Sequence, residues 1–418
     1  MSEDVANMQL WLLSPLAIIG AGLLLSQVIG VAMQARGLPR LYGAVIAGLI
    51  LGVSGLGLVD APLLAQFQEL FNAASALVLF EVGRKMDLAW LWRSGRQGGS
   101  LVLGCVLRGL GTLALLAGFG LGWGEAAFIA SILMAVNPVV FASMASDSNA
   151  SGVATYAGAN TVGISNLVAL LAVSVSLAWM RSHDAGAESG LGTVGSGAVG
   201  FGAELGRQGA KLALGAVIAL VCYGLYALAT RVSKAEAGLR PGILLAALLM
   251  DLGLCSVSAS SALLSLLLMG LLLRNAETRE NVFQAQIKTG QDIGYALLFM
   301  MSAALVEVQQ LFNPWTLLAA VLVFAARIGI TRAALVPSRA WSGRKKNAIA
   351  LSLCSLVSFG SLVVDNLMAR TAGMSDLAGS IMAALLALNV LVGPGLTWWG
   401  LKLARETHEG NEVENEHG

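Results

Sequence analysis

A series of long apolar runs limits what this chain can fold into. A transmembrane helix needs about 20 mostly apolar residues, and thirteen such runs lie near residues 10–33, 41–59, 65–83, 98–122, 125–145, 155–180, 209–231, 240–254, 256–273, 290–309, 315–336, 348–368 and 376–402. The chain is 57% hydrophobic and 12% charged, whereas soluble domains carry roughly 25% charged residues. The pattern predicts an all-α, polytopic membrane protein with about 13 transmembrane helices.

Composition and motifs argue against several other classes of protein. The net charge is +1 and there is no basic stripe, which gives no support to nucleic-acid binding. The sequence has no phosphate-binding loop motif, no HExxH and no GxSxG, so we expect neither an enzyme nor a cofactor. The four cysteines lie far apart in apolar runs without metal-ligand spacing, so no metal site and no disulfide framework are expected.

The distribution of Lys and Arg predicts the orientation in the membrane, because cytoplasmic loops carry an excess of both. If the N-terminus is outside, the loops assigned to the inside hold the basic residues Arg36, Arg40, Arg84, Lys85, Arg93, Arg96, Arg231, Lys234, Arg240, Arg274, Arg279, Lys288, Arg339, Arg344, Lys345 and Lys346. The polar tail 403–418 is then cytoplasmic. The chain is therefore predicted to lie in a cell membrane with its N-terminus outside and its C-terminus inside.

The spacing of the runs predicts two repeats of opposite orientation. Six runs lie within residues 1–181, a Gly-rich external linker covers 182–208, one connecting span covers 209–231, and six more runs lie within 240–402. Because each set has an even number of spans, the single connecting span inverts the second set. Inverted repeats of this kind are typical of secondary transporters.

The fifth run of each repeat contains residues that interrupt a helix. In the first repeat Asn137 precedes Pro138, and in the second repeat Ser358 and Gly360 lie near the middle of a Ser-rich run. Proline removes a backbone donor and clashes with the preceding turn, and paired interruptions at matching positions indicate a transport site near the midplane. The alternative is that Pro138 only kinks a span while Asn137 bonds a neighbouring helix.

Several segments resemble a known family. GLPRLYGAVIAGLILGVSGLGLVD, LFNAASALVLFEVGRKMDLAWLWR, ASILMAVNPVVFASMASD and IALSLCSLVSFGSLVVDN are similar to segments of the cation:proton antiporters, especially the branch with bacterial potassium-efflux antiporters and sodium/proton exchangers. The resemblance implies a fold with two crossing discontinuous helices, a homodimer in the bacterial inner membrane, and exchange of a monovalent cation for protons. It covers essentially the whole chain.

The chain departs from that family at one position. Where the family has a cation-binding and proton-binding aspartate in the sixth span, this sequence has Ser165 and Asn166. An amide can coordinate a cation through its oxygen, but it cannot titrate. The family's basic residue corresponds to Arg327, which either pairs in the core, bonds carbonyls of the crossing helices or reaches the inner face.

Three carboxylates are candidates for the missing proton-titrating group. Glu81 lies near the inner end of the third span, Asp251 lies in the eighth, and Asp365 lies late in the second crossing helix. Because Arg84 and Lys85 follow Glu81, a boundary ion pair is the favoured role for Glu81. The predicted topology puts Asp251 and Asp365 nearer the outer surface.

The leading hypothesis is a cation:proton antiporter that works by alternating access. Its ion site is expected to contain Asn137, Ser165, Asn166, Ser358 and Arg327. One alternative is a carrier of the same fold without proton coupling, which would be a uniporter or would carry an anion or an organic solute. Another is a sensor or scaffold that no longer transports.

Overall fold

The structure is a computed structural model that describes residues 14–188, 196–232, 239–276, 281–338, 341–356 and 375–406. These residues are almost entirely helical and include no β-strand, so the prediction of an all-α fold is confirmed. The first repeat contains α1 (Pro15–Ala35), α2 (Tyr42–Leu51), α3 (Ala61–Gln66), α4 (Gln68–Lys85), α5 (Leu88–Arg93), α6 (Arg96–Gly118), α7 (Trp123–Leu133), α8 (Pro138–Asp147) and α9 (Val153–Glu188).

The remaining helices follow the central connection. They are α10 (Ser196–Val232), α11 (Arg240–Val257), α12 (Ala262–Ala276), α13 (Asn281–Ala304), a short 3₁₀ helix (Val308–Phe312), α14 (Pro314–Ala334), α15 (Gly343–Ser352) and α16 (Asp376–Leu403). Among the described residues, eight helical segments are long and apolar enough to cross a membrane, and α7 with α8 counts as one of them. This supports a multi-pass membrane protein, although it does not reach the predicted count of thirteen spans.

The predicted linker 182–208 is helical over much of its length. Helix α9 continues to Glu188 and α10 begins at Ser196. An ion pair of 3.0 Å joins Arg181 of α9 to Glu204 of α10, and the rings of Trp179 and Phe201 meet edge to face. These contacts hold two helical extensions together where the Gly-rich sequence alone predicts a loop.

A separate bundle is formed by α4, α10, α11 and α12. Its buried core includes Phe80, Cys222, Leu248 and Leu266. The broken helices lie outside this bundle: α8 packs in the largest core cluster with α2, α13 and α16, and α7 packs with α6, α14 and α16. The fold therefore separates the elements around the helix breaks from a compact bundle beside them.

Glu406, the last described residue, connects the end of α16 to the beginning of α9 through hydrogen bonds. The Glu406 carboxylate accepts hydrogen bonds from the Ala154 and Thr155 backbone N–H groups, at 2.9 and 2.8 Å, and from the Thr155 hydroxyl. A carboxylate at a helix N-terminus satisfies donors that have no partner within the helix and interacts favourably with the helix dipole. Glu406 therefore caps the long sixth helix of the first repeat.

Replacing Glu406 by glutamine is expected to lower the free energy of unfolding by about 1–2 kcal/mol, because the charge-assisted cap is lost. Thermal unfolding of the purified protein in mild detergent measures this. The control is Glu69→Gln, which changes an exposed carboxylate and should leave the unfolding temperature nearly unchanged. Equal unfolding temperatures for the two variants would contradict the capping role.

Candidate functional site

The break between α7 and α8 lies against the end of α15. Helix α7 ends at Leu133 and α8 begins at Pro138, while α15 ends at Ser352 and is followed by the non-helical residues 353–356, which we call the second break. The Asn137 backbone N–H donates to the Ser355 carbonyl at 3.2 Å. Both residues are fully buried. The structure thus joins the first break directly to the second.

Asn137 and Pro138 act together to begin α8. The Asn137 side-chain oxygen accepts hydrogen bonds from the backbone N–H groups of Val139 and Val140, at 3.0 and 3.3 Å. Pro138 occupies the first helical position, where its missing N–H removes nothing that the helix needs. This pair is an N-cap followed by proline, which explains why an amide precedes a helix breaker in an apolar run.

Ser165 and Asn166 of α9 hold the opened backbone at the first break. The Asn166 side-chain nitrogen donates to the carbonyls of Val136 and Val162, at 2.9 and 2.8 Å. The Ser165 hydroxyl accepts from the Val136 N–H at 3.2 Å. Both polar groups of Val136, which no helix satisfies, therefore have partners. Asn166 lies at the break, and its nitrogen is committed to the backbone.

Asn389 of α16 satisfies the backbone at the second break in the same way. Its side-chain oxygen accepts from the Leu356 N–H at 2.7 Å, and its nitrogen donates to the Leu356 carbonyl at 3.0 Å. Asn389 stands 13 residues after Asp376, the first residue of α16, as Asn166 stands 13 residues after Val153 in α9. The sequence analysis missed Asn389, although a lone amide at the matching place in the second repeat was a usable signal.

Two fully buried arginines reach across to the broken helices. Arg327 of α14 donates to the Ala135 carbonyl beyond α7 at 3.2 Å. Arg108 of α6 donates to the Leu353 carbonyl at the end of α15 at 3.4 Å. Each arginine therefore contacts the break that belongs to the other repeat. Arg327 bonds a carbonyl of a crossing helix, which was one of its predicted roles, while Arg108 enters the site unexpectedly.

The candidate carboxylates lie in different places. Glu81 is buried and forms ion pairs with Arg84 and Lys85, at 3.0 and 3.3 Å. Asp251 is fully buried, and the Ser265 hydroxyl donates to it at 2.8 Å. It lies on α11 in the separate bundle, not beside the breaks. Asp365 is outside the described residues, as are the predicted ion ligand Ser358 and the predicted helix-breaking residue Gly360.

A cavity of about 680 Å³ connects one of these carboxylates with the first break. It is lined by Glu81 and Lys85 of α4, by Pro138 of α8, by Tyr156 of α9, and by Asp292. Val162, one helical turn before Asn166, also lines it. The cavity thus provides an open route from a region rich in charged side chains to the beginning of α8.

A polar cluster around Asp87 lies near the cavity, between α4 and α5. The Tyr156 hydroxyl donates to the Asp87 carboxylate at 2.6 Å, and the Trp90 N–H donates to it at 2.8 Å. Arg274, at the end of α12, forms an ion pair of 3.4 Å with the same carboxylate. Burial alone would raise the pKa of Asp87, but these hydrogen bonds and the positive charge of Arg274 lower it overall. The cluster ties α4, α9 and α12 together.

The lowered pKa of Asp87 predicts a pH-dependent contribution to stability. A carboxylate with a lowered pKa in the folded protein stabilises it above the unfolded value, about 3.9, and loses that effect as pH falls through the folded pKa. The unfolding temperature of Asp87→Asn should therefore be lower than that of the wild type at pH 7, and the two should converge below pH 4. Unfolding scans across this range measure the difference, and parallel curves would contradict the assignment.

Comparisons with known proteins agree with this architecture. The model of a family described as sodium/hydrogen exchanger, transmembrane, matches residues 19–402. A structure of the sodium proton antiporter MjNhaP1 from Methanocaldococcus jannaschii at pH 8 is 16% identical, with a TM-score of 0.62, over 93% of this chain and 95% of that one. A second structure of MjNhaP1, from electron microscopy, is 16% identical, with a TM-score of 0.65, over 91% and 96%. No curated protein matches the chain in sequence.

Proposed function

The chain belongs to the sodium/hydrogen exchanger family, whose members are transporters rather than enzymes, and we propose that it exchanges Na⁺ or K⁺ for protons by alternating access. The observation that carries this proposal is the meeting of two helix breaks at Asn137 and Ser355. Paired discontinuous helices present backbone oxygens and half-helix ends to an ion inside the membrane.

We infer that neutral oxygens of amide, hydroxyl and backbone carbonyl groups form the ion site, because position 166 carries no carboxylate. The Asn166 side-chain oxygen, the Ser165 hydroxyl and the backbone carbonyls of residues 135–137 are the candidate ligands in the described part of the site, and each of those carbonyls keeps a second lone pair beside the hydrogen bond that it accepts. Oxygen ligands of this kind suit hard cations. The proposed site retains Ser358 and Arg327 from the sequence prediction, with Arg327 holding the Ala135 carbonyl in place.

The cavity beside Pro138 supports an inner access route to this site. Carboxylates at its wall attract cations, and Glu81 and Asp292 both line it. A second cavity, of about 540 Å³, is lined by Asp147 and also by Asp292, which lines both cavities. Under alternating access, the proposed outward-facing state closes this route and opens one from the other side.

We propose Glu81 as the group that carries the proton. Of the two candidate carboxylates in the described part of the chain, Glu81 lines the cavity reaching Pro138, whereas Asp251 lies on α11 in the separate bundle. The Glu81 carboxylate forms ion pairs with Arg84 and Lys85. Proton binding at Glu81 would release those basic side chains and change the electrostatic potential along the route to the first break.

The remaining features of the proposal rest on the sequence. The distribution of Lys and Arg supports an outside N-terminus and a cytoplasmic C-terminus. The matching positions of Asn166 and Asn389 support inverted repeats at 1–181 and 240–402, joined by the span at 209–231. The family resemblance supports a homodimer and a bacterial inner membrane.

Dissipation of a pH gradient in proteoliposomes tests this function. Addition of Na⁺ or K⁺ to vesicles with wild-type protein is expected to collapse the gradient. Glu81→Gln is expected to reduce the initial rate at least tenfold, because the proposed proton carrier no longer titrates. The control is Glu69→Gln, whose carboxylate is exposed and away from the cavity lining, and it should keep the wild-type rate.

Two results separate the parts of the proposal. A wild-type protein that leaves the gradient intact with every monovalent cation from pH 5 to pH 9 would refute cation:proton exchange. A Glu81→Gln variant with wild-type exchange would refute Glu81 as the proton carrier while leaving the function in place. If the wild-type protein leaves the gradient intact, Asn166→Asp should be measured next. Collapse of the gradient by that variant alone would show that proton coupling was lost at position 166.

A further inference from the structure

Two guanidinium groups are buried beside the helix breaks, and the described part of the chain places no carboxylate next to either of them. Arg108 and Arg327 are both completely buried. Within the described residues, no carboxylate oxygen lies within 4.0 Å of either side chain, whereas other described arginines at 84, 181, 207 and 274 do have acidic partners. The interior around the breaks therefore carries two positive charges.

Several polar atoms of these residues also lack hydrogen-bond partners. In the described structure, Nε and Nη1 of Arg327, Nε of Arg108 and the Ser355 hydroxyl are buried and have no partner. Arg327 uses only Nη2, toward Ala135. Buried guanidinium nitrogens that donate to nothing are unfavourable in a membrane interior, so a charged residue left in this condition is a candidate for binding a ligand.

The unpartnered atoms converge on one segment, the beginning of the second break. Arg108 donates to the Leu353 carbonyl, and Ser355 follows two residues later. Arg327 donates to the Ala135 carbonyl, two residues before Asn137, whose backbone N–H donates to the Ser355 carbonyl. Helices α6 and α14, which carry the two arginines, pack side by side, and Gly111 of α6 sits against Ile330 of α14. Both guanidinium groups therefore lie beside the contact between the two breaks.

We propose that a small monovalent inorganic anion, of the halide or nitrate class, binds between Arg108 and Arg327 beside Ser355. Guanidinium N–H groups and a serine hydroxyl are donors that suit an anion. Complete burial favours a small, weakly hydrated ion over sulfate or phosphate, because desolvation cost rises steeply with charge. The bound anion neutralises one charge and lets two arginines remain at a crossing where a cation must also pass.

This site shares Arg327 with the proposed cation site, but anion binding does not depend on cation:proton exchange and can be tested without any ion gradient. Radiolabelled chloride binding to purified wild-type protein in sodium gluconate should be saturable. Thermal unfolding should shift upward by about 3 °C when chloride, bromide or nitrate replaces gluconate at constant ionic strength. Arg327→Gln and Arg108→Gln should each weaken chloride binding at least tenfold.

The matched control is Arg332→Gln, on the same helix as Arg327. Arg332 reaches the exposed side chain of Asn347 rather than the crossing, so chloride binding should remain at the wild-type level. The anion-replacement scans use wild-type protein, which keeps the proposal testable even if an arginine variant fails to fold.

Three results would overturn the anion site. They are the absence of saturable chloride binding to folded wild-type protein, identical unfolding temperatures in all four sodium salts, and undiminished binding in both arginine variants. The first of these would leave water or a carboxylate such as Asp365 as the partner of the arginines. Loss of transport with intact chloride binding would instead count against the proposed exchange alone.

Discussion

Replacing Asn389 by leucine is expected to lower the free energy of unfolding by about 2–5 kcal/mol, enough to prevent accumulation of folded protein. The Asn389 amide is the partner of both the N–H and the carbonyl of Leu356. Each buried backbone group left without a partner costs about 1–3 kcal/mol, and no water in the hydrocarbon region can replace the amide. Leucine is similar in size but offers no hydrogen bond.

The fraction of monodisperse protein after heating, measured by size-exclusion chromatography, reports this loss. Asn275→Leu is the control, because Asn275 lies exposed at the end of α12 and its amide donates only to the Leu271 carbonyl. Both variants replace an asparagine by leucine, but Asn389 is buried whereas Asn275 is exposed. If Asn389→Leu is as stable as Asn275→Leu, then the second break is held by other contacts and the role given to Asn389 is wrong.

Replacing Gly83 by alanine is expected to cost 3 kcal/mol or more, an order of magnitude taken from overpacked cores. A Cβ atom at Gly83 would stand 2.1 Å from the Leu267 carbonyl oxygen, and one at Gly270 would stand 2.1 Å from the Phe80 carbonyl oxygen. Both clashing atoms belong to the backbone, so the clash can be relieved only if α4 and α12 move apart. Small residues allow this close approach of membrane helices.

The same comparison of folded protein before and after heating measures the effect of Gly83→Ala. Gly253→Ala is the control, because a Cβ there meets no atom within 4 Å, and alanine in a helix is favoured over glycine by about 1 kcal/mol. The two substitutions should therefore shift the unfolding temperature in opposite directions. A neutral Gly83→Ala would show that α4 and α12 are not tightly packed at this point.

Sequence reasoning located the first helix break because its signal is local. Asn137 and Pro138 cap and start α8 through contacts within three residues of each other, and such chemistry is visible in a sequence. The second break begins after Ser352, inside the Ser-rich run where the sequence predicts an interruption, and Ser358 and Gly360 lie outside the described residues. Asn389 and Arg108 bond its described part, and because both are distant in sequence, local patterns do not identify them.

Other features of the site depend on three-dimensional partners in the same way. The Asp251 carboxylate is fully buried and accepts a hydrogen bond from Ser265 on the next helix, a partner that its position in the eighth run does not predict. Glu406 lies in a tail that composition alone marks as polar and acidic, yet it caps α9. Hydrophobic periodicity predicts that helices exist and reveals little about which polar residues meet.

Amides and hydroxyls at positions 165, 166 and 389 hold the backbone at the two breaks, and Arg327 and Arg108 each bond a carbonyl there. The family resemblance predicts a titrating aspartate at the position of Asn166, so proton coupling is proposed to reside at Glu81, along the route to the first break. Substrate binding and proton binding are then linked through the electrostatic potential of a shared cavity rather than through competition for one carboxylate.

Cation uptake driven by a pH gradient tests the central claim most directly. Proteoliposomes with wild-type protein and an acidic lumen are placed in alkaline medium with a trace of labelled Na⁺ or K⁺, and protein-free liposomes serve as the reference. Exchange predicts that one of these cations accumulates above its external concentration and leaves again when a protonophore collapses the gradient. Accumulation of neither cation, or uptake that stops at equal concentrations whatever the pH gradient, would contradict coupled exchange.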